Sequence, residues 1–197
     1  MKILALYGSP RRNGNTARLL RQAVDGAREA GAEVEECVLR DMTISPCLEI
    51  YGCKQDGRCV IKDDFQHLHD QLLSCQGVML ASPMFFYTVS SHTKILMDRC
   101  QSLWVKKYWI DQERPGSRPH TRKGLFIAAG ATHGKKLFDG ALLTVKYFFD
   151  TFDAELWKSL LFKGLDHADD VLARPDSLQQ THASGRELAE SLLQESG

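Results

Sequence analysis

The sequence predicts an α/β fold, a doubly wound parallel sheet with helices on both faces, and three observations carry that expectation. An apolar run, Ile3, Leu4, Ala5, Leu6 and Tyr7, stops at Gly8, Ser9 and Pro10 just before a helical pattern opens at Asn15 or Thr16. This reads as strand, tight loop, helix. A second apolar run at residues 34–39 follows that helix, and a strand–helix–strand unit of this size is a right-handed crossover between parallel neighbours. Two further runs, GVMLA at 77–81 and GLFIAA at 124–129, also end in loops of small or hydroxyl-bearing residues. At 197 residues the chain is expected to be one domain, 1–197, with enough length to bury a substantial core.

The elements follow in order. Leu19, Leu20, Ala23, Val24, Ala27 and Ala30 recur at three and four, giving an amphipathic helix over 16–30 that Gly31 ends. Residues 40–63 have no clean period, and their Pro, two Gly and three Cys mark a long structured excursion. Asp63 or Asp64 then caps a helix carrying Phe65, Leu68, Leu72 and Leu73 on one face. Ser90 or Ser91 opens the next helix, with Ile95, Leu96, Met97, Cys100 and Leu103. Residues 104–122 combine Trp104, Tyr108 and Trp109 with Pro115, Gly116 and Pro119 among charges, which reads as a surface insertion serving as a lid or a subunit contact. A helix around 137–151, a fifth strand around 155–162 and a last amphipathic helix over about 177–193 complete the chain.

In a parallel sheet all strand C-terminal ends share one edge, so the loops at 8–16, 82–90 and 130–134 should meet there. The first suits an anion. A helix start offers unpaired N–H groups and a positive dipole end, and this loop adds Ser9, Arg11, Arg12, Asn15 and Thr16. Gly8 and Gly14 do not give the G-x-G-x-x-G of a dinucleotide fold, and Asn15 stands where a nucleoside-triphosphate loop needs Lys. One terminal phosphate fits better, with an ordinary strand-to-helix turn as the alternative. The second loop, Pro83, Met84, Phe85, Phe86 and Tyr87, offers apolar and aromatic surface to a flat ring, with a core position as the alternative for Phe85 or Phe86. Gly130, Thr132 and His133 in the third loop permit close backbone approach; a histidine there reads equally as a surface or core residue. A ring plus one phosphate describes FMN.

Composition narrows the partners. Lys plus Arg and Asp plus Glu number 25 each, so no global field recruits nucleic acid or an anionic membrane, and the expected partner is a small molecule. No apolar run reaches membrane-spanning length and none resembles a leader, so a cytoplasmic location with reduced thiols is expected. Of the six cysteines, Cys37, Cys75 and Cys100 sit among apolar neighbours as buried packing thiols.

The blocks GSPRRNGNTARLL and ASPMFFYTVSSHTKILMDRC, with the segment PC…GC…GRCVIKDD, resemble the flavodoxin-like NAD(P)H-dependent FMN reductase and iron–sulfur flavoprotein superfamily up to about residue 150. The resemblance implies a flavodoxin-like five-stranded sheet of order 2-1-3-4-5, one FMN per subunit, and a homodimer or homotetramer whose interface helps form the flavin pocket. It implies Ser9, Arg11, Asn15 and Thr16 as phosphate ligands and Pro83, Met84, Phe85, Phe86 and Tyr87 along the ring edge. Gly130, Thr132 and His133 complete the ring site by the same analogy, and no protein catalytic residue is required beyond a charge or proton from His133. Iron–sulfur relatives carry four compact cysteines in the excursion, whereas this chain has Cys47, Cys53 and Cys59 at wider spacing, which argues for a structural remnant, or for redox-active or metal-binding thiols, over a conventional cluster. The implied activity is hydride transfer from NAD(P)H through FMN to a flavin, quinone, nitro or azo acceptor. The competing reading is an electron carrier or iron–sulfur flavoprotein served by a protein redox partner. A receiver domain is a poor match, because its acidic pair and phosphoacceptor Asp are missing from the first and third strand ends.

Overall fold

The computed structural model describes residues 1–117 and 119–195. Its strands are β1 (Lys2–Tyr7), β2 (Glu33–Val38), β3 (Gly77–Pro83), β4 (Arg122–Gly130) and β5 (Ala154–Lys163), all parallel, in the order β2-β1-β3-β4-β5. This is the order the family resemblance implies. The helices are α1 (Asn15–Glu29), α2 (Phe65–Ser74), α3 (Ser91–Arg99), α4 (Gln101–Trp104), α5 (Asp139–Asp150) and α6 (Pro175–Glu195). The order reverses between β1 and β3, which places the sheet's natural ligand crevice beyond Tyr7 and Pro83.

Both sheet faces are buried, which is why the central strands read as unbroken apolar runs rather than alternating ones. Leu4, Leu6, Val78, Leu80, Phe126 and Ala128 join the core with α2, α3 and α5. Ile3, Ala5, Met79, Ala81, Leu125 and Ile127 meet α1 and α6 on the other face. The two helices there touch backbone to backbone: a Cβ on Gly185 would lie 1.9 Å from the Ala23 carbonyl oxygen, and one on Gly26 would lie 2.1 Å from that of His182. Glycine at both positions sets the depth of that crossing.

The excursion at 40–63 contains two short 3₁₀ turns, Leu39–Asp41 and Gly52–Lys54, and hangs from one buried cation. The Arg99 side chain is 0% exposed. Its guanidinium donates to the carbonyls of Ser45 (2.9 Å) and Ile61 (3.3 Å) and to both carboxylate oxygens of Asp63 (2.6 and 3.1 Å), while its plane lies 4.6 Å from the Phe65 ring centroid. Asp63 also accepts the Phe65 N–H at the start of α2, and the Asp64 carboxylate accepts the Thr43 N–H. Burial alone would raise the Asp63 carboxyl, but Arg99 and the N–H groups of Ser45 and Phe65 hold it below its ordinary value.

Two expectations need correction. Cys37 is half-buried rather than buried, because β2 is an edge strand; its thiol donates to the Gln71 amide oxygen at 3.4 Å. Residues 104–122 are not simply an insertion either, since the helical path continues through a π-helical turn, Val105–Ile110. Lys107 pins that turn inward with its ammonium 3.1 Å from Asp150 and 2.9 Å from Asp153. Arg118 in this segment, like residues 196 and 197, lies outside the described residues. The remainder lines a cavity of about 950 Å³ with Trp104, Tyr108, Tyr147 and Leu156. Ala154 and Leu156 begin β5, so this cavity lies at the strands' N-terminal edge and the segment is no lid over the opposite edge.

Candidate functional site

At the C-terminal edge the first two loops are clamped together through Gly8. Its N–H donates to the Ala81 carbonyl (2.8 Å), and its own carbonyl accepts the Ser90 hydroxyl (2.5 Å). A Cβ there would lie 2.0 Å from the Thr93 hydroxyl oxygen, so the clamp closes only on glycine. Ser90 in turn caps α3 by accepting the Thr93 N–H, and its own N–H donates to the Ser82 hydroxyl.

Beyond Gly8 the chain turns through Ser9, whose hydroxyl accepts the Arg11 N–H at 3.0 Å, and enters α1 after an extended Gly14. No side chain caps this helix. The first intrahelical bond is Arg18 N–H to the Gly14 carbonyl, so the N–H groups of Asn15, Thr16 and Ala17 have no helical acceptor. A 15-residue helix thus starts, positive end first, among the buried Ser9, Asn15 and Thr16, with the exposed Arg11 in the same loop. That arrangement fits a phosphate group. Arg12 and Asn13 are exposed at the tip of this loop; Arg12 pairs with Asp41 at 2.9 Å, and the Arg21 guanidinium donates to the Arg12 carbonyl and the Asn13 amide oxygen. Beneath the loop the buried Tyr7 hydroxyl donates to Glu36 at 2.5 Å; burial first, then that carboxylate, raises the phenol's pKa.

Sequence reasoning missed the loop after β5, residues 165–171. The Asn15 amide donates to the His167 carbonyl (2.7 Å) and accepts the Val171 N–H (3.1 Å). Arg11 donates to the Asp166 carbonyl (3.2 Å), and Arg18 pairs with Asp169 (2.6 Å). The loop is shaped locally by Asp170, whose carboxylate accepts the N–H groups of Asp166 and His167 and is thereby held below its ordinary pKa. An Asx-type turn was legible in that aspartate; its docking on Asn15, more than 150 positions away, had no local signal.

Pro83 ends β3, and Met84 is fixed by donating its N–H to the Ala129 carbonyl (2.9 Å). Phe85 and Thr88 exchange both backbone hydrogen bonds, closing a two-residue hairpin over Phe86 (φ 49°) and Tyr87 (φ 63°). Positive φ at both central positions is the type I′ requirement, which Asn-Gly normally meets and two aromatics meet under strain. Neither Phe85 nor Phe86 is core: Phe86 is 99% exposed at the tip. Replacing Phe86 with Asn together with Tyr87 with Gly is expected to raise stability by about 1–2 kcal/mol by removing that strain. Chemical denaturation reads it, and an unchanged or lowered stability would contradict the strain.

The third loop meets the hairpin. A Cβ on Gly130 would lie 3.3 Å from the Met84 Cβ, and one on Gly140, in the first turn of α5, would lie 2.8 Å from the Tyr87 carbonyl oxygen. Thr132 and His133 are exposed, with the His133 ring leaning over Gly164 after β5. All three loops therefore converge on one edge.

The cysteines lie apart from one another in chemistry. Burial pushes the Cys37 and Cys75 thiols up to about 11, and burial raises Cys100 further. Cys47 is exposed, Cys53 and Cys59 half-buried, and Cys53 is raised first by burial and then by its neighbour Cys59. Among the described residues, no three His, Cys, Asp or Glu side chains gather as they would around a metal ion. With three thiols in the segment and four needed for a cubane, this donor set does not fit a conventional iron–sulfur cluster.

An uncapped helix start at the switch point of a 2-1-3-4-5 parallel sheet, flanked by the Phe85–Thr88 hairpin, defines a flavodoxin-like fold. The chain belongs to the NADPH-dependent FMN reductase family, whose model matches residues 1–150. An iron–sulfur flavoprotein of Methanocaldococcus jannaschii is 35% identical over 132 residues, 67% of this chain and 63% of that protein. Against two other curated iron–sulfur flavoproteins the chain spans 56% and 54% of their length. Among solved structures, a flavone reductase (TM-score 0.67, 23% identity, 98% of this chain and 63% of that one) shares the fold. So does the NAD(P)H:quinone oxidoreductase of Methanothermobacter marburgensis (TM-score 0.66, 16% identity, 95% and 96%). No described helix is long and apolar enough to cross a membrane.

Proposed function

We propose that this chain is an FMN-dependent reductase that takes hydride from NAD(P)H and delivers electrons to a small organic acceptor such as a flavin, quinone, nitro or azo compound. The observation that carries the reading is the uncapped N-terminus of α1 opening on the same edge as the Phe85–Thr88 hairpin. When bound, FMN supplies the two-electron chemistry. The protein's part is positional. The N–H groups of Asn15, Thr16 and Ala17, the Ser9 and Thr16 hydroxyls and Arg11 hold the phosphate; Pro83, Met84, Phe85, Phe86 and Tyr87 flank the ring; Gly130 and Thr132 allow close approach from the third loop. His133, in the same loop, leans its ring over Gly164 at the end of β5.

The exposed hairpin tip is an open wall in one protomer, and we read it as covered in a homodimer or homotetramer, with the protein in the cytoplasm, where its six unpaired cysteines stay reduced. A second reading, an electron carrier docking on a redox protein, is favoured by one feature: Leu48, Ile50 and Tyr51 are exposed beside Cys47 and Cys53.

Flavin fluorescence titration of flavin-free protein tests the site. FMN is expected to bind at least about a hundredfold tighter than riboflavin, because charge-assisted bonds to the phosphate are the strongest contacts offered. Equal affinity for the two would remove the phosphate assignment.

A further inference from the structure

On the same sheet edge, one strand beyond the hairpin, a cavity of about 490 Å³ opens between the third loop, the start of α5 and the end of β5. Four of its nine lining residues, Leu161, Phe162, Lys163 and Arg174, lie beyond the residues matched by the family model. Three cations, Lys135, Lys163 and Arg174, share the lining with one carboxylate, Asp139. Arg174 is preorganised: its guanidinium donates to the carbonyls of Lys163 and Gly164, both at 2.7 Å, and its Nη2 would lie 3.2 Å from a Cβ on Gly164, over which the His133 ring also leans. Lys135 and Lys163 make no ion pair among the described residues. The uncapped start of α5 adds its dipole, with Asp139 in the first turn offsetting part of it. The floor is apolar, formed by Phe138, Leu142 and Phe162.

An apolar floor of small-molecule size, rimmed by two lysines that make no ion pair among the described residues and by Arg174, whose charge Asp170 only partly offsets, suits a flat body carrying a negative group. We propose that this cavity is a subsite for the anionic group of an aromatic substrate, a sulfonate, carboxylate or phosphate monoester. That the occupant is a substrate rests on the reductase reading; that the cavity binds aromatic anions does not. The anion has two sources, an anionic acceptor or the ribose phosphate of NADPH.

The test is calorimetric titration of the FMN-loaded protein with naphthalene-2-sulfonate, with neutral 2-naphthol as its control. The sulfonate is expected to bind at least about tenfold tighter than the naphthol, to weaken as salt is raised, and to lose about tenfold or more in Lys163→Glu, with FMN affinity unchanged. Lys135→Ala should give a smaller loss in the same direction and serves if Lys163→Glu fails to fold. Displacement of the sulfonate by adenosine 2′,5′-bisphosphate supports the proposal and assigns the anion to NADPH; sulfonate binding without displacement supports it and assigns the anion to the acceptor. Sulfonate binding no tighter than naphthol, or unaffected by both substitutions, overturns it. Sulfonate binding in a protein whose flavin neither NADPH nor NADH reduces would sink the reductase reading and leave the subsite standing.

Discussion

Arg99→Met is expected to destabilise the protein by about 3–5 kcal/mol and to release the cysteine segment. The substitution keeps the volume but leaves the Asp63 carboxylate, 9% exposed, without its cation, and strips the donors from the Ser45 and Ile61 carbonyls. Removing one member of a buried pair costs far more than the pair's net worth, which sets the large value. Denaturant unfolding gives the stability, and thiol labelling gives the location: Cys53 and Cys59 should react much faster while Cys100 stays protected. A loss under about 1 kcal/mol, with unchanged labelling, would mean the segment is held by other contacts. The same pair sets an acid limit. Asp63 has a depressed folded-state pKa, so its contribution is fully present above its unfolded value near 4 and is lost as pH falls through the folded value. Acid should therefore loosen residues 40–63 in the wild type, and Arg99→Met should weaken that acid step.

Asn15→Ala should weaken FMN binding by about ten- to a hundredfold while leaving riboflavin binding nearly unchanged. The amide serves the loop at 165–171, and its loss leaves the buried Val171 N–H without an acceptor, at about 1–3 kcal/mol. With that loop detached, Arg11 loses the Asp166 carbonyl that holds it at the rim of the phosphate pocket. The penalty therefore falls on the phosphate and not on the ring. Equal losses for both flavins would point to a general disturbance of the edge, and no loss for either would show that the C-terminal loop has no part in the site.

The fold was legible because the central strands are buried on both faces and each stops at glycine, serine or proline, so period and punctuation agreed. The strand-to-helix turn at 8–16 was legible because its residues are consecutive. What failed was long-range. Residues 104–110 look like a loop because Trp, Lys and Tyr interrupt the apolar period, yet Lys107 folds inward to Asp150 and Asp153, partners some 40 positions on. The Asn15 side chain engages the loop after β5, and nothing near residue 167 announces that contact. Phe85 and Phe86 carried a core alternative because an aromatic pair after a buried strand usually packs; only the hairpin's positive φ values turn them out. The cation-rimmed cavity joins residues 133–142 to 161–174, a juxtaposition that depends on the β4–β5 pairing.

The most direct test of the central claim is an anaerobic absorbance titration of the FMN-loaded protein with NADPH and, separately, NADH. The account predicts loss of the oxidised-flavin bands with about one equivalent of at least one nucleotide, and their return when a quinone is added. A flavin that binds but stays oxidised with both nucleotides would contradict it and make the protein an electron carrier awaiting a protein donor.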